Sequence, residues 1–159
     1  EYQGPVYMRL LRGQVPDVLS EYGYQFRLGK AQTIIDGRDV LFISSGLMTM
    51  RVLAASEALQ QDNISCAVLH VPTIKPLDEA TILQAAADAK LLVTAENHTL
   101  FGGLGEAIAG ACMREGVYPR FRQIALPDEF LDAGALPTLH DQYRISVKPM
   151  AEQIRGWLT

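Results

Sequence analysis

Apolar residues along the chain come in short dense blocks whose period switches between about two and about 3.6, the signatures of strands and helices. Pro5 to Leu10 reads as a strand, closed by Arg12-Gly13 and a loop through Pro16. Gly23 to Gly29 adds aromatic and turn residues, so a linker is placed between about Leu11 and Gly29. Ala31–Ile35 and Asp39–Ser44 are β-prone runs joined at Asp36-Gly37, the dipeptide favoured in tight hairpins. After Ser44-Ser45-Gly46 the period lengthens, and Met50, Leu53, Ala54 and Leu59 fall on one helical face. Ile64–Val71 predicts the next strand, which Pro72 and Pro76 end. Asp78 is suited to cap a helix running to about Ala89, with Ile82, Leu83 and Ala86 inward. Lys90–Ala95 predicts a strand, Leu104–Glu115 a helix and Phe121–Leu126 a last strand. Two short C-terminal helices follow, the second starting near Ser146 and carrying Ile154, Trp157 and Leu158.

This alternation of strands with helix-length crossovers predicts an α/β domain of parallel strands covered on both faces. The hairpin adds one antiparallel edge strand. A chain of 159 residues suits one well-packed domain. A net charge of −4 supplies no general basic surface, so neither nucleic acid nor an acidic membrane is an expected partner. No apolar run approaches the ~18 residues of a membrane span. Cys66 and Cys112 lie in apolar runs and read as reduced core thiols of a cytoplasmic protein. The chain opens on Glu1 and enters an apolar run within four residues, which leads to the expectation of a piece of a longer polypeptide.

The densest chemistry lies between Thr94 and Ile108, where Glu96, His98, Gly102, Gly103 and Gly105 stand at the head of a predicted helix. Free backbone N–H groups at a helix N-terminus favour an anion. The loop fails the dinucleotide fingerprint, since Ile108 stands where a third glycine belongs, and no Gly-Lys-Ser/Thr makes it a P-loop. The plainer reading is a tight turn whose glycines let the helix pack close to the strand. Glu96 and His98 form either an acid/base pair at a sheet edge or a carboxylate and an imidazole that tie down the turn or touch a neighbouring domain. Ser44-Ser45-Gly46 lacks the preceding glycine of a nucleophile elbow and reads better as a helix cap. Cys66 and His70 share a strand face without metal-type spacing, and His140 is placed on a surface helix, so no metal site is expected. Arg9 and Arg12 flank the end of the first strand, where a guanidinium can hold a phosphate or simply be solvated.

Taken together, several stretches resemble one family. Gly4-Pro5-Val6-Tyr7-Met8-Arg9-Leu10 is similar to the last strand of the pyrimidine-binding domain of transketolase-like enzymes. Asp36-Gly37-Arg38-Asp39-Val40 with Ser45-Gly46 then resembles the C-terminal domain that follows. So do His70-Val71-Pro72-Thr73-Ile74-Lys75-Pro76-Leu77-Asp78, Glu96-Asn97-His98 with Gly102-Gly103-Leu104-Gly105, and the Pro127-Asp128-Glu129-Phe130 ending, all in order. The Thr-Ile-Lys-Pro-Leu-Asp run is the most specific, and the nearest likeness is to the C-terminal half of divided bacterial transketolases. More distant are deoxyxylulose phosphate synthases and the beta subunits of 2-oxo-acid dehydrogenases, whose corresponding domain would serve assembly.

The resemblance implies a three-layer α/β/α sandwich with a mostly parallel five-stranded sheet and one antiparallel edge strand. It divides the chain into a tail of the preceding domain (1–15), a linker (16–29) and a transketolase C-terminal domain (30–159). It implies a complete enzyme of sugar phosphate metabolism, of the pentose phosphate kind, that uses thiamine diphosphate and Mg²⁺ to move a two-carbon ketol unit. Cofactor, metal and activating glutamate would belong to an N-terminal region, on the same chain or a separate subunit, and the enzyme would be a homodimer. This stretch would bind no cofactor or metal and hold no catalytic residue. Arg12 aligns with the arginine that holds the substrate phosphate in such enzymes. The glycine loop, with Glu96 and His98, is left as a structural turn that touches a neighbouring domain or dimer mate, or as a small-anion site.

Overall fold

The computed structural model describes residues 2–11, 16–17 and 19–159. Five strands, β1 (Gln32–Ile35), β2 (Val40–Ser44), β3 (Cys66–His70), β4 (Leu92–Thr99) and β5 (Phe121–Leu126), form one sheet in the order β1-β3-β2-β4-β5. β2, β3, β4 and β5 run parallel and β1 runs antiparallel along β3. The helices are α1 (Leu47–Gln60), α2 (Glu79–Ala87), α3 (Leu104–Arg114), α4 (Leu136–Gln142) and α5 (Val147–Leu158).

The three layers follow from the period of two in the central strands. Val40 and Phe42 of β2, Val68 of β3 and Val93 of β4 face one side, packed on Met48, Val52, Ala55 and Leu59 of α1 and Met150 and Ile154 of α5. Their neighbours Leu41, Ile43, Leu69 and Leu92 face the other, packed on Ile82 and Ala86 of α2 and on Leu104, Ile108 and Cys112 of α3. Cys66 and Cys112 thus sit in cores on opposite sides of the sheet, both buried and free. Burial pushes the Cys66 thiol up to about 11, which keeps it protonated. Among the described residues no helix is long and apolar enough to cross a membrane.

Three expectations are corrected. The Asp36-Gly37 hairpin does not form, because β3 lies between β1 and β2. Neither Asp36 nor Gly37 takes the positive φ of a tight hairpin turn. The connection instead crosses the start of β3, where the Arg38 and Asp39 amides donate to the Ser65 carbonyl at 3.2 and 2.8 Å. Gly37 is small because it lies on the β3 backbone: a Cβ there would stand 2.1 Å from the Cys66 carbonyl carbon. Pro5–Leu10 forms no strand and stays exposed, Tyr7 by 90% and Leu10 by 77%, and it is no part of the sheet formed by the described residues. In α1 the inward row is Met48, Val52, Ala55 and Leu59, while Met50 and Ala54 are only half-buried on its flank. Wedged between sheet and α5, this helix is apolar on more than one side, so its sequence lacks a single stripe.

Replacing Gly37 by alanine is expected to force the crossing off β3 and cost about 2 kcal/mol or more, as overpacked sites do. For a domain of this size that lowers Tm by roughly 4–8 °C, measurable by calorimetry. An unchanged Tm would refute the close-approach account.

Candidate functional site

The parallel strands end together at one edge of the sheet, the place where open α/β proteins bind ligands. There β4 runs on to Thr99, past the predicted end at Ala95, and the loop through Gly102 leads into α3. Glu96 is 2% exposed, and its two carboxylate oxygens accept the amides of Leu104 and Gly105, each at 2.7 Å. These are the first N–H groups of α3, left without partners inside the helix. A carboxylate there also meets the positive end of the helix dipole. The anion that the glycine loop solicits is therefore the chain's own Glu96. Glu106 adds a second closure by accepting the Gly102 amide at 2.6 Å.

Each glycine has a separate task. Gly102 takes a φ of +74°, in the left-handed region. Gly103 makes room for the carboxylate, since a Cβ would sit 1.9 Å from Glu96 Oε2. Gly105 lets α3 lie close to the sheet, where a Cβ would meet Gln123 Nε2 at 2.1 Å and Thr94 Oγ1 at 2.8 Å. His98 is half-buried, and its Nδ1 lies 3.1 Å from the Thr99 carbonyl oxygen and 3.4 Å from Thr99 Oγ1. It makes no hydrogen bond to Glu96. Arg12, the other sequence candidate, lies outside the described residues.

A second polar group at this edge escaped the sequence reading. Ser44 at the end of β2, Thr49 in the first turn of α1 and His70 at the end of β3 are buried in a chain. Ser44 Oγ lies 2.9 Å from Thr49 Oγ1, which lies 2.8 Å from His70 Nδ1. The Tyr24 ring packs edge-on against the imidazole at 4.9 Å. Ser44 therefore bonds across the strand ends, and the cap expected of Ser44-Ser45 is replaced: Gly46 stands at the N-cap of α1 with no side-chain bond. Ser44 is fully buried. His140 is also inside, at 4% exposure, correcting its placement on a surface helix. Arg51 of α1 bonds to its Nδ1 and donates to the Ile145 carbonyl at 3.2 Å, which holds α4 to the core. Burial, then the Arg51 charge, holds the His140 pKa below its usual value. The missed signal was a lone histidine at the end of an apolar strand, which becomes specific only with its neighbours known.

Two measurements test this account. Glu96→Ala leaves two buried amides without acceptors and is expected to cost roughly 3 kcal/mol or more in urea unfolding. Gly103→Ala evicts the same carboxylate, so in the Glu96→Ala background it costs far less than alone; strict additivity would refute the shared mechanism. Burial drives the His70 pKa from 6.5 down to about 4. The folded value lies below the unfolded one, so between them the unfolded chain binds the extra proton. Stability then falls as pH drops from about 6.5 to about 4 and levels off below. His70→Gln is expected to flatten this slope by on the order of 3 kcal/mol across the window. A variant as pH-sensitive as the parent would sink the assignment.

The chain and its fold have known counterparts. The family profile described as transketolase, C-terminal domain, matches residues 29–150. A putative uncharacterized transketolase family protein of Sinorhizobium fredii is 64% identical over 159 residues, covering 99% of this chain and 46% of that protein. The 6-deoxy-6-sulfo-D-fructose transketolase subunit SqwH of a Clostridium species is 37% identical, covering 92% of this chain and 45% of that one. The chain thus spans about half the length of these curated relatives. Among solved structures, a split gene transketolase described as an inactive beta4 tetramer superposes with a TM-score of 0.82 at 27% identity, covering 92% of this chain and 48% of that one. The five-stranded sheet with its antiparallel β1 is the transketolase C-terminal domain fold, and the chain belongs to the transketolase family.

Proposed function

We propose that the chain is the C-terminal part of a thiamine diphosphate-dependent transferase that moves a two-carbon ketol unit between sugar phosphates. In that enzyme the present domain serves assembly. The observation that carries the reading is the likeness, over nearly the whole chain, to transketolase-family proteins about twice its length. The domain's own chemistry agrees with a non-catalytic role, since Ser44, Thr49, His70 and Glu96 are all buried and engaged with protein partners. The substrate in the name of one relative is a sulfo-sugar, so the proposal extends to ketol transfer and names no particular sugar.

The described residues do not fit the cofactor. The glycine loop, whose sequence pattern invites a diphosphate, has the Leu104 and Gly105 amides taken by Glu96. Thiamine diphosphate, which supplies the carbanion chemistry when bound, and its Mg²⁺ are therefore assigned to an N-terminal region on the same chain or a separate subunit. The subunit relative and the split-gene neighbour support the divided arrangement, and a homodimer of the complete enzyme is part of the proposal. The loop of His98 and Gly102 is assigned to contact with that region or with a dimer mate.

The test is ketol transfer from hydroxypyruvate to ribose 5-phosphate by the complete protein with its cofactor-bearing region, thiamine diphosphate and Mg²⁺. No transfer to any aldose phosphate would refute it. The 159-residue chain alone is expected to give no saturable cofactor binding in calorimetric titration. Within the active assembly, Arg12→Ala should lower kcat/KM for phosphorylated donors by roughly ten- to a hundredfold, the size of a lost bidentate phosphate contact. Hydroxypyruvate, which has no phosphate, should lose little as donor when the acceptor is glycolaldehyde. Lysine should rescue only in part, lacking the planar fork, and Arg9→Ala serves as the control. Equal losses for both donors would refute the phosphate role.

A further inference from the structure

At the far end of the same sheet edge, away from the Glu96 cap, the segment before β1 crosses in front of the α2 N-terminus and leaves a cleft of about 390 Å³. That volume is within the range of small-molecule sites. Two contacts pin its walls. The Gly29 amide donates to Thr73 Oγ1 at 2.8 Å, and the Ala31 amide donates to Asp78 Oδ2 at 3.0 Å. Gly29, at a φ of +69°, also lies so close to Pro76 that a Cβ would be 2.9 Å from its ring. Gln32, in the cleft lining, pairs with His70 across β1 and β3, which places the cleft at the C-terminal ends of the parallel strands.

The lining is uneven in a telling way. Arg27 makes no side-chain hydrogen bond or ion pair with any described residue. Lys30 reaches only Asp78 Oδ1, at 3.7 Å, with its side chain 66% exposed. The Asp78 side chain is 5% exposed, and its Oδ2 is saturated by the Ala31 amide and the Thr81 hydroxyl. Both of those bonds fall on Oδ2, so Oδ1 faces only the distant Lys30 ammonium among them, and Asp78 is one of the residues that line the cleft. Gln32 has its Oε1 engaged by the Gln25 amide at 3.4 Å, leaving its NH₂ to donate. Two underused cations thus stand beside one buried acceptor oxygen and one amide donor, in a chain whose net charge is −4. A bare anion would satisfy the cations and be repelled by Asp78. A ligand carrying both a phosphate and hydroxyl groups satisfies all four.

We propose that the cleft between the segment before β1 and the α2 N-terminus binds a small phosphorylated polyol, with phosphate on Arg27 and Lys30 and a hydroxyl donating to Asp78 Oδ1. The proposal does not use Arg12 and does not depend on the ketol-transfer reading. Guanidinium and ammonium groups supply charge-assisted bonds to the phosphate oxygens, and the carboxylate selects against ligands without a hydroxyl to offer.

Peptide-resolved hydrogen exchange on the complete protein tests it, with ribose 5-phosphate, ribose and inorganic phosphate as probes. Ribose 5-phosphate is expected to protect peptides spanning residues 23–35 and 73–83, with ribose giving no protection. Arg27→Gln and Lys30→Gln, both exposed positions, should each raise the half-saturating concentration about tenfold while leaving the fold intact. Three outcomes overturn the proposal: no protection in these peptides, protection unchanged in both variants, or inorganic phosphate acting at the same concentration as ribose 5-phosphate. Following individual peptides separates this site from binding elsewhere in the enzyme, and loss of ketol transfer has no bearing on the readout.

Discussion

The carboxylate of Glu96 is the constraint around which the ligand edge of the sheet is arranged. It stands where a bound anion would sit in other strand-loop-helix turns, and accepts the Leu104 and Gly105 amides. A buried carboxylate needs such donors, because an ionised group without them loses its solvation with nothing in return. The helix needs the acceptor equally, because its first amides have none of their own. Satisfying both at once obliges Gly103 to lack a side chain and fixes where α3 begins. From there Leu104, Ile108 and Cys112 are aimed at the sheet, and one of the two cores is closed.

The opposite core is organised around the two central strands. β2 and β4 lie side by side with Phe42 level with Val93, and both strands are buried on both faces. α1 and α5 cover one face through Val52, Leu59 and Ile154. The Arg51 bonds to His140 and to the Ile145 carbonyl then hold the α4–α5 turn onto α1. Buried polar side chains therefore work as clamps between elements: Glu96 joins β4 to α3, Thr49 joins α1 to the ends of β2 and β3, and Arg51 joins α1 to α4. Such groups specify one arrangement because each must keep its partner.

Ser44, Thr49, His70 and Glu96 at the sheet edge are buried and engaged with protein partners. Among the surfaces left open are the apolar side chains of Val6, Tyr7, Met8 and Leu10, and the cleft lined by Arg27, Lys30 and Asp78.

The sequence by itself determined the kinds of element and their order. Alternating apolar blocks, Pro72 and Pro76 after a strand, and the Gly102–Gly105 turn before a helix are local signals, and β5 begins and ends where its pattern does. It also carried the family, through short runs such as Thr73-Ile74-Lys75-Pro76-Leu77-Asp78. What it did not contain was partnership across the chain. Asp36-Gly37 carries the composition of a hairpin, yet its conformation was decided by β3, a strand about thirty residues later. A pattern of two says that β1 is a strand and nothing about which strand it pairs with. Likewise His140 read as a surface residue, and Glu96 as either an acid/base partner or a tie for the turn, until the fold buried both, because burial and hydrogen-bond partners arise only when distant segments meet. Local periodicity is written in neighbouring residues; the satisfaction of a buried charge is not, and only the tertiary structure could decide it.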